Sequence, residues 1–480
     1  MKRGLLASYV DGIRDQSDGE SYSTLIGYFL PEFVTALVLY SALNLLDDYW
    51  IAQLGSTSAY AAIGLTNSTL LLFVTKLAEG LSIGSVVLCG QYNGAQEFKK
   101  VGEALINTFW VAMTIGAGLA GLFYVGAPWI YAWCGFTPKM IAVGVPFLRL
   151  RITAIFFSFV YFSFVSFLRG VKNTRTPMYL FLIGAIVFVG LDYLLIFGKW
   201  GFPALGVMGS AWASIAQYGV MLTGVIWLIM RDERYKKYGI ALFSQRPDWR
   251  IMRQIIALSW PVVLDKSTMA LACIWLGKMI APMGKCAMAS FNVIKNMERF
   301  AFLPAVAFAQ VITFVVSNNC GSGSTDVIKK NIKKVIFLAS LFVLAILTVF
   351  SVWPQFFITF FDKNGVFTDF AARVFPLVSI LVMFDLLQLI LSGALRGARD
   401  VRMVMWTRVL VSLCCFVPGT YLLSSLPIAA GVLKFTLVYG MFHVCSGLMS
   451  IMYVSRFRKD PRYGHNHARR STQNCLNLPS

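Results

Sequence analysis

The sequence predicts an all-α polytopic membrane protein: twelve transmembrane helices in two pseudo-symmetric six-helix bundles. Three observations predict it. The chain is 58% hydrophobic and only 13% charged over 480 residues, with a mean hydropathy of +0.69. Its basic residues alternate between richly and sparsely charged gaps. Its two halves repeat each other at a nearly constant offset.

The hydropathy fixes the elements. Apolar runs of about 20 residues, enough to cross the hydrocarbon core of a bilayer, recur along nearly the whole chain. Lipid offers no hydrogen-bond partners, so each run must be a helix. Spans are expected near 22–47, 60–89, 102–126, 140–168, 178–197, 205–230, 254–281, 286–317, 335–357, 369–394, 403–425 and 430–455. The polar N-terminus is too charged for a signal peptide. Nine scattered cysteines form no C-x-x-C pair and imply no disulfide framework.

Charge fixes the orientation. Lys99 and Lys100, then Arg169, Lys172 and Arg175, then the run 231–253 fall in even-numbered gaps, as do Lys329, Lys330, Arg396 and Arg399. Odd-numbered gaps carry isolated cations such as Lys139, Lys199 and Lys285. The positive-inside rule then predicts a multi-pass protein of the cell (inner) membrane with both termini in the cytoplasm. The formal charge of +20 is split among short loops, which speaks for the bilayer and against a nucleic-acid partner.

The repeat fixes the domains. "FLRGVKNTRTP" begins at Phe167 and "ALRGARDVRM" at Ala394, with their arginines 227 positions apart (396 − 169). Gly94 and Gly321 share that offset, and Pro31 and Pro261 stand 230 apart. Six spans per half make the repeat parallel, with substrate expected between the halves. The predicted order is a cytoplasmic segment (1–21), an N-lobe (22–230), an inter-lobe linker (231–253), a C-lobe (254–455) and a polar tail (456–480). Pro31 and Pro261, each opening the first span of its half, are candidate hinges, because proline frees a carbonyl and bends a helix.

Charged groups inside spans are costly and therefore informative. "LNLLDDYWIAQLG" (43–55) places Asn44, Asp47 and Asp48 at i, i+3 and i+4. Spacing alone does not say which aspartate faces inward. Asp192 lies in the fifth span. Two carboxylates from different helices can share a proton or a sodium ion, as an ion-coupled carrier requires. The second half carries Asp265, Lys266, Lys295, Glu298, Arg299 and Asp385. These form either a buried ion network or a substrate site for an anionic or zwitterionic group. Lys76 and Glu79, at i and i+3, read as a structural pair. His443 is the one histidine within a span, and no partner for it is evident from spacing. With no nucleophile–base pair and no metal constellation inside the spans, an enzyme, a resident metal and a cofactor are not expected.

Taken together, "LNLLDDYWIAQLG", "FLRGVKNTRTP", "LDYLLIFGKWGFPALGVMGSAWAS" (191–214) and "DLLQLILSGALRGARD" (385–400) resemble the multidrug and toxic compound extrusion (MATE) transporters. The likeness runs over nearly all of 20–455. It implies two six-helix bundles forming a V, and export of organic cations in exchange for H⁺ or Na⁺. Asp47, with Asn44 three before it and Gly55 eight after, fits the family register, and Asp48 does not. The resemblance makes Asp47 and Asp192 the N-lobe coupling carboxylates and Ser210 a helping hydroxyl. It sets Asp385 at the C-lobe acidic position of the sodium-coupled NorM-like branch, with Gln388 beside it. The family's asparagine one turn before Asp192 is here Phe188, and Met269 stands where NorM-like members carry a glutamate. Loss of neutral ligands with retention of carboxylates favours H⁺. A small-molecule substrate and a monomer are expected. A flippase for lipid-linked saccharides, or an exporter of anions using the second-half cluster, is the alternative.

Overall fold

The computed structural model describes residues 19–38, 43–54, 63–64, 66, 71–133, 135–242, 245–362, 365–428 and 431–459, without the side chains of 44, 71–73, 76 and 325. The described residues form helices α1 (Tyr22–Leu37), α2 (Leu43–Gln53), α3 (Leu71–Gly94), α4 (Phe98–Trp133), α5 (Pro138–Gly170), α6 (Arg175–Phe197), α7 (Val207–Arg231) and α8 (Glu233–Lys236). There follow α9 (Trp249–Ile280), α10 (Lys285–Gly321), α11 (Thr325–Val352), α12 (Pro354–Thr359), α13 (Thr368–Gly397), α14 (Val401–Val411), α15 (Val417–Ser425) and α16 (Val432–Lys459). A π-helical turn, Ser412–Phe416, joins α14 to α15 within one span. Among the described residues ten helices are long and apolar enough to cross a membrane. The other two expected spans, 22–47 and 60–89, are the ones broken by residues outside the description. Most of the N-terminal segment and of the polar tail, with Lys76's side chain, lies outside it too.

The chain divides into two compact units, Val34–Val263 and the remainder, residues up to Phe33 together with those from Leu264 on. Both divisions fall inside helices, each two residues after a proline, Pro31 in α1 and Pro261 in α9. The first part of α1 accordingly packs among second-half helices: Phe29 stacks on Phe308 with ring centroids 4.0 Å apart, and Tyr28 meets Phe314 edge-on. The first part of α9 packs on α3, where a Cβ at Gly84 would meet Ser259 and the carbonyl of Ile255. The expected linker does not hang free. Asp248 N–H donates to the Asn107 side chain at 2.7 Å, Asn173 donates to the Tyr235 hydroxyl at 2.7 Å, and Tyr235 and Tyr238 belong to the apolar core of Val34–Val263.

Between helices in lipid there is little hydrophobic driving force, so close packing over small residues holds the bundle. One crossing shows the repeat directly. A Cβ at Gly170 of α5 would stand 3.3 Å from the Val86 carbonyl oxygen and 2.7 Å from Cys89 on α3. A Cβ at Gly397 of α13 would overlap the Thr313 carbonyl oxygen on α10. Both members of the pair are shifted by 227 positions (397 − 170 and 313 − 86). Gly397→Ala forces backbone apart and is expected to cost about 1–3 kcal/mol. Thermal unfolding of the purified protein in detergent checks this. A midpoint equal to wild type would show that the crossing is looser than the geometry says.

Candidate functional site

Each unit carries a buried constellation of charged groups. In Val34–Val263 it is built by two helix faces with matching period. Leu43, Asp47 and Ile51 succeed one another at four-residue steps on α2, and all three are buried. Phe188, Asp192 and Ile196 do the same on α6. Leu43 packs with Phe188 and Ala213, and Ile51 with Ile196 and Ala211. These two apolar clusters bracket the acids between them. Asp47 therefore faces inward, 3% exposed, while Asp48 is exposed. Asn44 lies on the same helix, with its side chain outside the description.

The Ser210 hydroxyl, on the first turn of α7, donates to Asp47 Oδ1 at 2.6 Å. It stands there because Gly209 lets α7 approach the backbone of Leu195 and Ile196, which a Cβ would meet at 2.7–2.9 Å. Arg151 on α5 completes the group. Its Nη2 is 3.6 Å from Asp47 Oδ2, and its Nη1 donates to the Ser210 carbonyl at 3.2 Å, to the Ser210 hydroxyl at 3.3 Å and to the Ser214 hydroxyl. Asp192 is fully buried, and neither carboxylate oxygen has a hydrogen-bond partner among the described residues. It stands on α6 between the same two apolar clusters that bracket Asp47. Phe188, in the place of the family's asparagine, is a packed core residue.

The second constellation lies wholly in the other unit and has two parts. Asp265, 2% exposed, gives Oδ2 to Arg396 Nη2 and Oδ1 to Arg408 Nε. Beside it His443, 1% exposed, presents Nδ1 to Asp385 Oδ2 at 2.6 Å and Nε2 to Glu298 Oε1 at 3.7 Å. The Tyr439 hydroxyl donates to Glu298 Oε2 at 2.5 Å. His443 thus has two carboxylate partners, against the expectation from spacing. Gln388 is buried, with its amide nitrogen unpartnered among the described residues.

The remaining second-half charges take different surroundings. Lys295 sets its ammonium over the Phe291 ring at 5.5 Å, and Arg299 is exposed although its neighbour Glu298 turns inward. Lys266 is half-buried. Sequence reasoning overlooked Arg151, Arg396 and Arg408 as site residues. The usable signal was a cation inside an apolar run: "FLRLRITAI" carries Arg151 well within the expected fourth span.

The MatE family model matches the chain twice, over residues 33–194 and 261–422. The chain belongs to the MatE family. The two matches are offset by 228 positions (261 − 33), close to the offset of the motifs, so the family unit itself is the repeat. Among curated relatives, this MatE chain is 26% identical over 386 residues to a probable multidrug resistance protein NorM of Rhizobium meliloti (strain 1021), covering 77% of this chain and 79% of that protein. It is 23% identical over 400 residues to the multidrug resistance protein MdtK of Yersinia pseudotuberculosis serotype O:1b, covering 82% and 85%. Two solved structures share its fold. One is a MATE protein in the bent conformation, with TM-score 0.83, 15% identity and 98% and 99% coverage. The other is a mutant of the Vibrio cholerae MATE transporter VcmN, with TM-score 0.83, 16% identity and 95% and 99% coverage. This MatE protein is thus a multi-pass membrane protein of a multidrug efflux family.

Proposed function

We propose that the chain is a proton-coupled antiporter that exports organic cations by alternating access, acting as a monomer in the cell's inner membrane with both termini cytoplasmic. The observation that carries this reading is Asp192, a fully buried acid with no hydrogen-bond donor among the described residues, bracketed by the same apolar clusters as the buried Asp47. A carboxylate so placed is costly when ionised and uncompensated, so it must hold a proton or face a cation. Exclusive occupancy by one or the other is the condition for exchange. Each ligand must bind the two conformations unequally, or no coupling follows. Phe188 offers no ligand oxygen, which favours H⁺ over Na⁺. Ser210 would hold Asp47 in register through the cycle.

The test is efflux of a fluorescent organic cation from proteoliposomes under an imposed pH gradient, then under a sodium gradient. Proton-driven export is expected in the wild type, falling to the level of protein-free vesicles in Asp47→Asn and Asp192→Asn. Export driven by sodium alone, or untouched by both substitutions, would overturn the assignment.

A further inference from the structure

A cavity of about 500 Å³ opens where two connections on one side of the membrane meet. α10 and α11 are both spans, so the turn before α10 (281–284) and the connection from α11 to α13 (353–367) lie two crossings apart, on the same face. The volume falls in the ~300–1,000 Å³ range of small-ligand clefts. Its depth in the membrane is marked by exposed apolar side chains. Trp353, Phe356, Phe360, Phe361 and Val366 are 50–68% exposed. They surround the short helix α12, which is anchored by the fully buried Ile358 and by Phe357 on Phe350, ring centroids 4.6 Å apart. Aromatic side chains so placed between two spans sit at the headgroup level of a bilayer.

The lining carries two ionic groups of opposite sign. Lys285, the first residue of α10, is exposed. Asp362 is buried, and its Oδ2 accepts from the Phe367 N–H at 2.7 Å, the Thr368 N–H at 2.9 Å and the Thr368 hydroxyl at 2.9 Å. Three donors favour the carboxylate over the acid. They hold it in its own loop, unpaired with Lys285 although both line one cavity. Phe360, Phe361 and Phe367 line the space with them. We propose that this cavity holds the headgroup of one phosphatidylethanolamine molecule, with its phosphate on the Lys285 ammonium and its own ammonium at Asp362 among the phenylalanine rings. Each part of that headgroup has a complement. A cation meets the phosphate, and a carboxylate with π faces meets the primary ammonium. The exposed Phe356 and Phe360 meet the start of the acyl chains. Phosphatidylglycerol offers no cation to Asp362, and phosphatidylcholine offers no N–H. The site shares no residue with either buried constellation and does not depend on which ion or compound is transported.

Two measurements test it. In the first, the full-length protein is incubated in detergent with equal amounts of phosphatidylethanolamine, phosphatidylcholine and phosphatidylglycerol of matched chains, and native mass spectrometry counts what stays bound. One retained phosphatidylethanolamine is expected, in about tenfold excess over either competitor, the equivalent of one charge-assisted bond. Lys285→Gln and Asp362→Asn should each abolish that preference. Asparagine keeps an oxygen for the N–H groups of the loop, so the second variant spares the local fold. In the second measurement Cys286, exposed beside Lys285 in the same lining, reports the place. Its alkylation by a maleimide is read peptide by peptide in nanodiscs. It should be about tenfold slower with phosphatidylethanolamine present than in phosphatidylglycerol alone, and fast in both for Lys285→Gln. Equal retention of the three lipids, or a preference unchanged in both variants, overturns the proposal. Displacement of the lipid by tetraphenylphosphonium overturns it too, and would make the cavity a stop for transported cations. Should the variants fail to fold, Cys286 in the wild type decides, because equal alkylation in the two bilayers removes the lipid from the cavity.

Discussion

Asp265→Ala is expected to destabilise the protein by about 3–5 kcal/mol, the range for removing one partner of a buried ion pair. Both Asp265 oxygens are taken, one by Arg396 and one by Arg408, and the two arginine side chains are only 9% and 7% exposed. Without the carboxylate, two buried guanidiniums lose the counter-charge to which both are bonded. Asp265→Asn keeps the shape and loses the charge, so it should fall between alanine and wild type. Replacing all three groups together, Asp265→Leu with Arg396→Met and Arg408→Met, should recover most of the loss, because the desolvation of every member disappears at once. Thermal unfolding in detergent ranks the four proteins. If Asp265→Ala unfolds with the wild type, the guanidiniums are solvated and the triad does not hold. The same geometry leaves Asp265 no free oxygen for a substrate, so the triad is an anchor for α9 just past the division between the units.

The second large effect is expected at His443. Replacing it by leucine strips Asp385 of its 2.6 Å partner and removes the ring that stands between Asp385 and Glu298. Hydrogen bonds to charged groups contribute about 1.5–3 kcal/mol each, and the two acids would then face each other directly. A loss of about 3 kcal/mol is expected for His443→Leu. Adding Asp385→Asn removes one of the opposed charges, so the double substitution should cost less than the sum of the singles by about 1–3 kcal/mol. Additive losses would show that the imidazole and Asp385 do not act on each other, contrary to the distance. Glu298 keeps the Tyr439 hydroxyl at 2.5 Å in every variant, which makes Tyr439→Phe a separate and smaller perturbation.

Much of the frame was legible in the sequence because lipid imposes a simple rule on it. A span must be apolar for about 20 residues, so ten of the expected helices stand among the described residues as long apolar helices. The pairing of Asp47 with Ser210 followed from the family motifs, and the choice of Asp47 over Asp48 came from the same source. Helix spacing could not make that choice, since adjacent residues differ by only about 100° around the axis. The ion pairs were illegible for a related reason. Arg151 meets a serine 59 positions away and His443 an aspartate 58 positions away. Which side of a helix a long cation takes depends on neighbours that local periodicity does not name. The run Lys295–Glu298–Arg299 shows the converse failure. Closeness in sequence suggested one cluster, whereas Glu298 turns to His443 and Arg299 outward.

The glycine crossing of α5 on α3, and its copy of α13 on α10, bears on the ancestry of the chain. Gly170 with Val86, and Gly397 with Thr313, have kept both their spacing and their contact in the two copies. The charges have not. Counted by the same offset, Asp385 corresponds to Ser158 and Arg408 to Phe181. The two copies therefore share a frame and differ in their polar interiors. The joinery is alike in each, because each bundle must close on itself, while the polar interiors carry different groups. The chain is in effect two copies of one frame with different polar contents. A tandem of two first halves would inherit the frame and two copies of the Asp47–Arg151–Asp192 group, and it would lack any equivalent of His443.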